Sequence, residues 1–505
     1  MTVFDLFVGE IILAPVKTKP AKQVIKSSKK VVAAPKAARK ATTKRIATKK
    51  VVKQSGIKRP IVKIATPQTG FGIETFEALL ASRPFEPEWM RDRRRDAFHV
   101  LLDTSLPTRT DEAWRRTDIS ALKLAEVEVV MPKAEGEAAL QSAPRSIKEA
   151  ISGKGASGAI VSADGQIVAS TLDATLKRKG VIFTDMETAL KKHSDLLEPI
   201  FMTQIVRPND GYFAALHGSF WQGGTFVYVP KGVEVPLPLR AATWLKNRHS
   251  AFPHTLIILE AGARAVFIDE YQSVTDDRQA FSNGAVEIVV GDDAQLDYVN
   301  WQDMGRNIYN FTHERAKVMR NSTLHWIVAG LGTKLTKSFM DVNLAGQGST
   351  ALMSGAYFVD GKQHLDYDTE QIHLVPHTTS DLLYKGALKD EARSVWQGNI
   401  HVYPGAQRTD AYQASRNLSL SNSARADSIP GLEIEADDVR CTHGAAVSQV
   451  DKEEIFYLMT RGIPEKVAEQ LIVNGFFQPV LDRIPMDNVR ARLEASFAAK
   501  MGLAR

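Results

Sequence analysis

The chain's one cysteine, Cys441, lies two residues from His443 in the run Asp438-Val439-Arg440-Cys441-Thr442-His443-Gly444-Ala445. On an extended strand, residues two apart share a face, so thiol and imidazole could meet one metal ion or a partner's thiolate. Both ligand types suit iron. A buried cysteine beside a hydrogen-bonded histidine is the commoner state of such a triplet, and the pattern alone leaves both readings open. One cysteine allows no internal disulfide, which fits a reducing compartment. An iron–sulfur cluster usually takes about four thiolate or imidazole ligands, so a cluster here needs ligands from a partner or recruited histidines.

Other chemistry is mostly excluded. His364, His373 and His377 lie close together with Asp366, Asp368 and Glu370 interleaved. Nothing in the spacing fixes their mutual geometry, and solvent-facing or turn-satisfying roles are expected for them. No Gly-x-x-x-x-Gly-Lys-Ser/Thr loop occurs; Gly361-Lys362 lacks both the upstream glycine and the hydroxyl, so the chain has no ATP site of its own. No Gly-x-Ser-x-Gly elbow occurs, and Gly218 to Gly224 lacks the strand–turn–helix setting of a dinucleotide site. The chain reads as non-catalytic.

The elements that must position these residues fall into four stretches: a basic extension (1–66), a helical and mixed N-terminal domain (67–205), a strand-rich core (206–450) and a helical C-terminal domain (451–505). Residues 71–125 and the stretch from Met186 to Phe201 have helical periodicity, and Asp164-Gly165 between two short alternating runs predicts a hairpin. From Val206 to Arg440, β-branched and aromatic runs of about five residues alternate with Gly, Asp and Asn, and helical signals almost vanish. Leu296, Leu324 and Leu352 recur at one interval, each preceded by a small or polar turn, and Tyr384 and Tyr412 repeat that interval. Such recurrence favours the stacked coils of a β-solenoid over a sandwich. After Val450, Asp451 with Glu454, Gly462 and Pro464 punctuate short helices. The apolar residues of those helices, including Val467, Leu471, Phe476 and Phe477, exceed what a lone helix pair buries and suggest a partner surface.

The net charge of +6 divides unevenly. Residues 1–66 carry 17 Lys or Arg against Asp5 and Glu10, a net +15, while the remaining 439 residues carry 47 basic against 56 acidic side chains. The extension reads as disordered. It could serve as a nucleic-acid arm or a transit peptide, but its stretch 17–63 has no aromatic residue for base stacking and few Arg, so a dispensable extension is favoured. No apolar run approaches the ~18 residues of a membrane span.

Four separated blocks resemble the SufB/SufD family: Leu106-Pro107-Thr108-Arg109 to Trp114, Asn209-Asp210-Gly211 through Val233, Ala436 through Ala445, and Leu471 through Phe476. The resemblance implies a right-handed parallel β-helix between an N-terminal helical region and a small C-terminal helical domain. It also implies a scaffold for iron–sulfur cluster assembly that pairs as a SufB–SufD heterodimer, through the β-helix ends, and recruits the SufC ATPase through its C-terminal helices. SufB-type chains carry Thr-Gln-Cys where this one has Tyr412-Gln413-Ala414, and His-Glu-Ala where it has His443-Gly444-Ala445. The residues therefore resemble the SufD branch, and His443 matches the histidine implicated in cluster assembly at the SufB interface. Cys441 accompanies it with an open role. Ile455, Phe456, Leu458 and Met459 with Arg461 are the residues expected at the ATPase contact, simple domain packing being the alternative for each. Some complexes of the family are associated with reduced flavin, for which no residue here is assigned. A homodimer without SufB stays open, and the bacterial cytoplasm is the expected compartment, with a plastid second. The rivals are a β-solenoid carbohydrate-active enzyme, for which Asp366, Asp368 and Arg393 could be recruited, and a nucleic-acid binder using the basic tail.

Overall fold

Through the middle of the chain, once per 27 to 31 residues, one residue has its backbone in the left-handed region: Gly262, Asp293, Asn321, Gly348, His377 and Arg408. Gly, Asp and Asn enter this region at least cost, which explains the turn residues of the sequence. In the computed structural model these positions stack. The amide of Gly262 donates to the Asp292 carbonyl (2.7 Å), Asp293 to Arg320 (2.8 Å), Asn321 to Gln347 (2.9 Å) and Gly348 to His377 (3.0 Å). Each turn thereby satisfies the backbone of its neighbour, and the column sets the pitch of a solenoid. The structure describes residues 68–129, 138, 140–152, 155–246 and 250–502. The basic extension lies outside them.

Between the turns, β-branched and aromatic runs form two sheets whose strands pair in parallel with the coils before and after. About eight turns run from Thr225–Val229 with Leu239–Leu245 to Arg425–Ile434 with Arg440–Gln449. The expected mainly β, solenoid architecture with helices at both ends is what the chain adopts. The constant interval read from the sequence holds for one step only. Leu296 pairs with Leu324, but Leu324 pairs with Ala351, and the row continues through Ser380 and Ala411 to Cys441. Leu352 lies one residue off the row and so on the opposite face. Turns differ in length by a few residues, which a fixed interval cannot follow.

Interior residues stack along the axis. Phe267, Tyr298 and Trp326 follow one another at ring separations of 5.9 and 5.7 Å, and Tyr357, Tyr367 and Tyr384 at 5.6 and 5.8 Å. Gly355 and Gly386 face the rings of Tyr384 and Tyr357, where a β-carbon would overlap them.

The first end of the solenoid is blunted. Gly158–Ala163 joins Leu239–Leu245 in parallel and turns back through Asp164 and Gly165, both at positive φ, into the antiparallel strand Gln166–Leu172. A register shift falls between Val161 and Ser162. The four-residue strand Ile182–Asp185 runs antiparallel to Thr225–Val229 in the other sheet. One helix, Tyr212–Phe220, lies where helical signals were not expected. Its residues from Phe213 to Phe220 are all buried, so no polar face marks its period.

Helices cover the outer faces of both sheets. Phe76, Phe98, Leu101, Trp114 and Phe220 pack on Phe281, Tyr309, Phe311 and Leu335. A buried relay ties this layer down. His217 Nε2 and His254 Nδ1 are 3.0 Å apart, His254 Nε2 reaches Glu287 (3.0 Å), and Glu287 accepts from the amides of Met202 and Val206. On the other sheet, Phe477, Leu481, Leu493 and Phe497 of the helices Glu465–Leu481 and Asp487–Lys500 pack on Trp301, Ile327, Phe358 and Leu383.

Candidate functional site

At the far end the two sheets simply stop. Arg425–Ile434 and Arg440–Gln449, ten residues each, bond to a neighbour on one side only. Most residues of the last strand are exposed. Such a pair of unpaired edges is a template for another chain.

The register decides which side chains that end presents. Cys441 continues the row Leu324, Ala351, Ser380, Ala411, and His443 the row Trp326, Met353, Leu382, Gln413. Leu324, Trp326, Ala351, Met353 and Leu382 belong to the interior core. Cys441 and His443 therefore both face the lumen, on one face as two-residue spacing on a strand requires. His443 is exposed because no coil lies beyond it, whereas Cys441 is half-buried against Ile400, Val402 and Ala411. Burial pushes the Cys441 thiol up, and Asp410 adds to the effect. Metal binding by this thiol must expel a proton from a site that favours keeping it, so His443 is the readier ligand.

The lumen changes character as it approaches this end. His373 contacts Ser380 (2.9 Å) and Thr378 (2.7 Å), and Gln371 donates to Ser380 (2.6 Å). Tyr357 donates to Asn417 (2.6 Å), and Asn417 to Ser428 (3.1 Å). Gln413, directly behind His443, donates to the Gly431 carbonyl (2.8 Å), while its Oε1 is buried without a hydrogen-bond partner among the described residues. Burial holds His373 down at about 4, so it is a neutral bonding group.

The other singled-out residues lie elsewhere. Asp366 and Asp368 are paired with buried Lys337 (3.1 and 2.8 Å), Asp366 also accepts from Thr117, and Arg393 is paired with Asp427 (2.9 Å). Buried beneath the N-terminal layer, Asp366 lines no open groove for a polysaccharide. Of the C-terminal residues, Phe456, Met459 and Arg461 are exposed on or just after the helix Lys452–Thr460, and Ile455 and Leu458 are half-buried. Tyr457 on the same helix and Leu471 on the next are also exposed. Tyr457 was missed in the sequence because its neighbours alone fit the helical stripe.

Comparison with known proteins covers most of the described chain. Residues 243–476 match the family model for the SUF system FeS cluster assembly SufBD core domain, and residues 81–241 match the SufBD protein N-terminal region. An iron–sulfur cluster assembly SufBD family protein of Staphylococcus aureus strain MRSA252 is 30% identical over 412 residues, covering 80% of this chain and 87% of its own length. Similar proteins from S. aureus strain USA300 and from Staphylococcus haemolyticus are 29% and 30% identical over the same length.

Proposed function

The chain belongs to the SufBD family of iron–sulfur cluster assembly proteins, and from that premise we propose that it is a non-catalytic, SufD-type scaffold subunit. In this reading its open end pairs with a SufB-type chain, and His443 faces the partner's cysteine across the joined lumens. Iron and sulfide are the cargo, held transiently by ligands from both chains, with Cys441 as a second donor once deprotonated. The observation that carries the reading is the coincidence of two one-sided edge strands with an uncovered, lumen-facing His443.

ATP acts through a separate ATPase of the SufC kind, docked on the exposed Phe456, Tyr457 and Met459 with the half-buried Ile455 and Leu458 of the same helix, and on the exposed Leu471 of the helix that follows. A pull on these helices has a mechanical path to the coils. Phe477 and Phe497 stack at 4.1 Å against the outer sheet, Lys385 donates to the Phe476 carbonyl (2.5 Å), and Arg483 pairs with Asp381 (3.0 Å). Closing two such helical domains together would twist the coils and open the joint between lumens. Reduced flavin, where it serves such a complex, is assigned to no residue of this chain. Among the described residues no helix is long and apolar enough to cross a membrane, and the bacterial cytoplasm is the compartment proposed.

The test is co-purification of the tagged full chain from its native cells, with mass spectrometry of bound proteins and assay of iron and acid-labile sulfide. Recovery of a SufB-like chain and an ATPase, with the cluster lost in His443→Ala at unchanged thermal stability, is expected. Full cluster content in that variant would remove the role given to His443.

A further inference from the structure

On the outer face of the other sheet, beside the same open end, one histidine is ringed by carboxylates. His401, on Arg393–Val402, is in register with Glu433 on the last strand of that sheet. Glu435 follows that strand, its amide held by the Val402 carbonyl at 2.8 Å. Glu370 lies one strand back, on His364–His373. His401 Nδ1 is 3.9 Å from Glu370 and 4.0 Å from Glu433, and its Nε2 is 3.3 Å from Glu435.

The charge pattern separates this group from its surroundings. The other outward acids on these coils have a cation: Asp341 has Arg315 (2.6 Å), Asp368 has Lys337 (2.8 Å) and Asp427 has Arg393 (2.9 Å). Among the described residues no Lys or Arg comes within ion-pair distance of Glu370, Glu433 or Glu435. Three carboxylates against one imidazole leave an excess of about two negative charges even when the imidazole is protonated, a balance that a divalent cation meets.

The geometry fits as well. One donor atom each from His401, Glu433 and Glu435 lies within 4.8 Å of the others. Around a metal with bonds of about 2.1 Å, ligand atoms sit ~3 to 3.5 Å apart, a closure that side-chain rotation alone supplies. The backbones are fixed by sheet register, and the imidazole is stacked on Tyr403 with centroids 4.3 Å apart. With metal on one ring nitrogen, the other is left to donate to the remaining carboxylate, which fixes the ring in the usual way of metal-bound histidines. Asn399 steadies Glu370 by donating to it at 3.3 Å.

We propose that His401, Glu433 and Glu435, with Glu370 alongside, form a surface site for a divalent first-row transition metal ion, separate from the lumen-facing Cys441 and His443. One imidazole with carboxylates suits ferrous iron or manganese better than softer ions. Its use as an iron-loading position beside the open end rests on the scaffold reading; metal binding itself does not.

The apo full chain, without partners and under anaerobic conditions, is titrated with Mn2+ followed by electron paramagnetic resonance, and with Fe2+ by calorimetry. One site is expected whose affinity falls at least tenfold in His401→Ala and in the double variant Glu433→Gln/Glu435→Gln, and stays unchanged in His443→Ala. Both Gln changes fall on exposed side chains, and unchanged circular dichroism melts verify folding. Equal affinity and stoichiometry in wild type and both site variants overturns the proposal, as does loss of binding in His443→Ala. Metal binding that follows this pattern in a chain that recovers no SufB-like partner would sustain the site and count against the scaffold reading instead.

Discussion

The two ends of the solenoid solve the same problem differently. At the first end, Gln166–Leu172 reverses direction after a bulge, Ile182–Asp185 is only four residues long, and the lumen behind them is filled by Ile160, Phe183, Leu239, Leu259 and Phe267. At the last end the strands are long, one-sided and uncapped, and the lumen is lined by polar side chains: Gln371 and His373 bond to Ser380, Ser415 and Asn417 contact Ser428, and Gln413 donates to the Gly431 carbonyl. An apolar lumen left open would put hydrophobic surface in water before a partner arrives, whereas a hydrogen-bonded polar one tolerates water at little cost. Apolar burial is thus concentrated in the closed coils, and exposed, unpaired strand edges in the open one.

This contrast can be broken by mutation. Trp326→Ala removes a fully buried ring from the closed coils and should cost about 3 to 5 kcal/mol, read as a lower denaturation midpoint. Leu432→Ala, exposed on the open-end strand, should cost under ~1 kcal/mol. Comparable losses from the two would erase the distinction.

The next effect is pH-dependent. Burial pushes Glu314, sealed inside the coils, up to about 7, although Thr312 and Asn300 donate to it. A carboxyl whose folded pKa lies above its unfolded value stabilises fully below about 4.5, and that contribution is lost as pH rises toward 7. Glu314→Gln should flatten the decline in stability over that window, a term of up to ~3 kcal/mol. Thermal melts from pH 4.5 to 8 check it; an unchanged profile would mean that water reaches the closed lumen.

The smallest effect on stability belongs to the open edge. Val447→Lys, on the last strand and facing the lumen, should change stability by less than ~0.5 kcal/mol yet abolish the proposed end-to-end pairing, as light scattering on a mixture with a SufB-type chain would show. Intact pairing would move the interface elsewhere.

The sequence made local features legible and register illegible. The hairpin at Asp164-Gly165, the helix stop at Gly462 and the turns at Asp293, Asn321 and Gly348 are written in residues whose backbone preferences are intrinsic. The shared face of Cys441 and His443 followed from strand alternation once the strand was recognised. The slip from Leu352 to Ala351 could not be seen, because turn length is set by contacts between coils. Helix Tyr212–Phe220 was hidden by being buried all round. His401 and Glu433 are separated by more than thirty residues and meet only through pairing of Arg393–Val402 with Arg425–Ile434, so no local spacing announces them.

Having one blunt end and one sticky end limits growth. A solenoid adhesive at both ends would add copies head to tail without limit and form fibres. Here the reversed strand, the bulge and the short strand at the first end offer little to join, so the end-to-end association proposed above would terminate at two chains. The long exposed strands at the other end can then stay adhesive without turning the molecule into a filament.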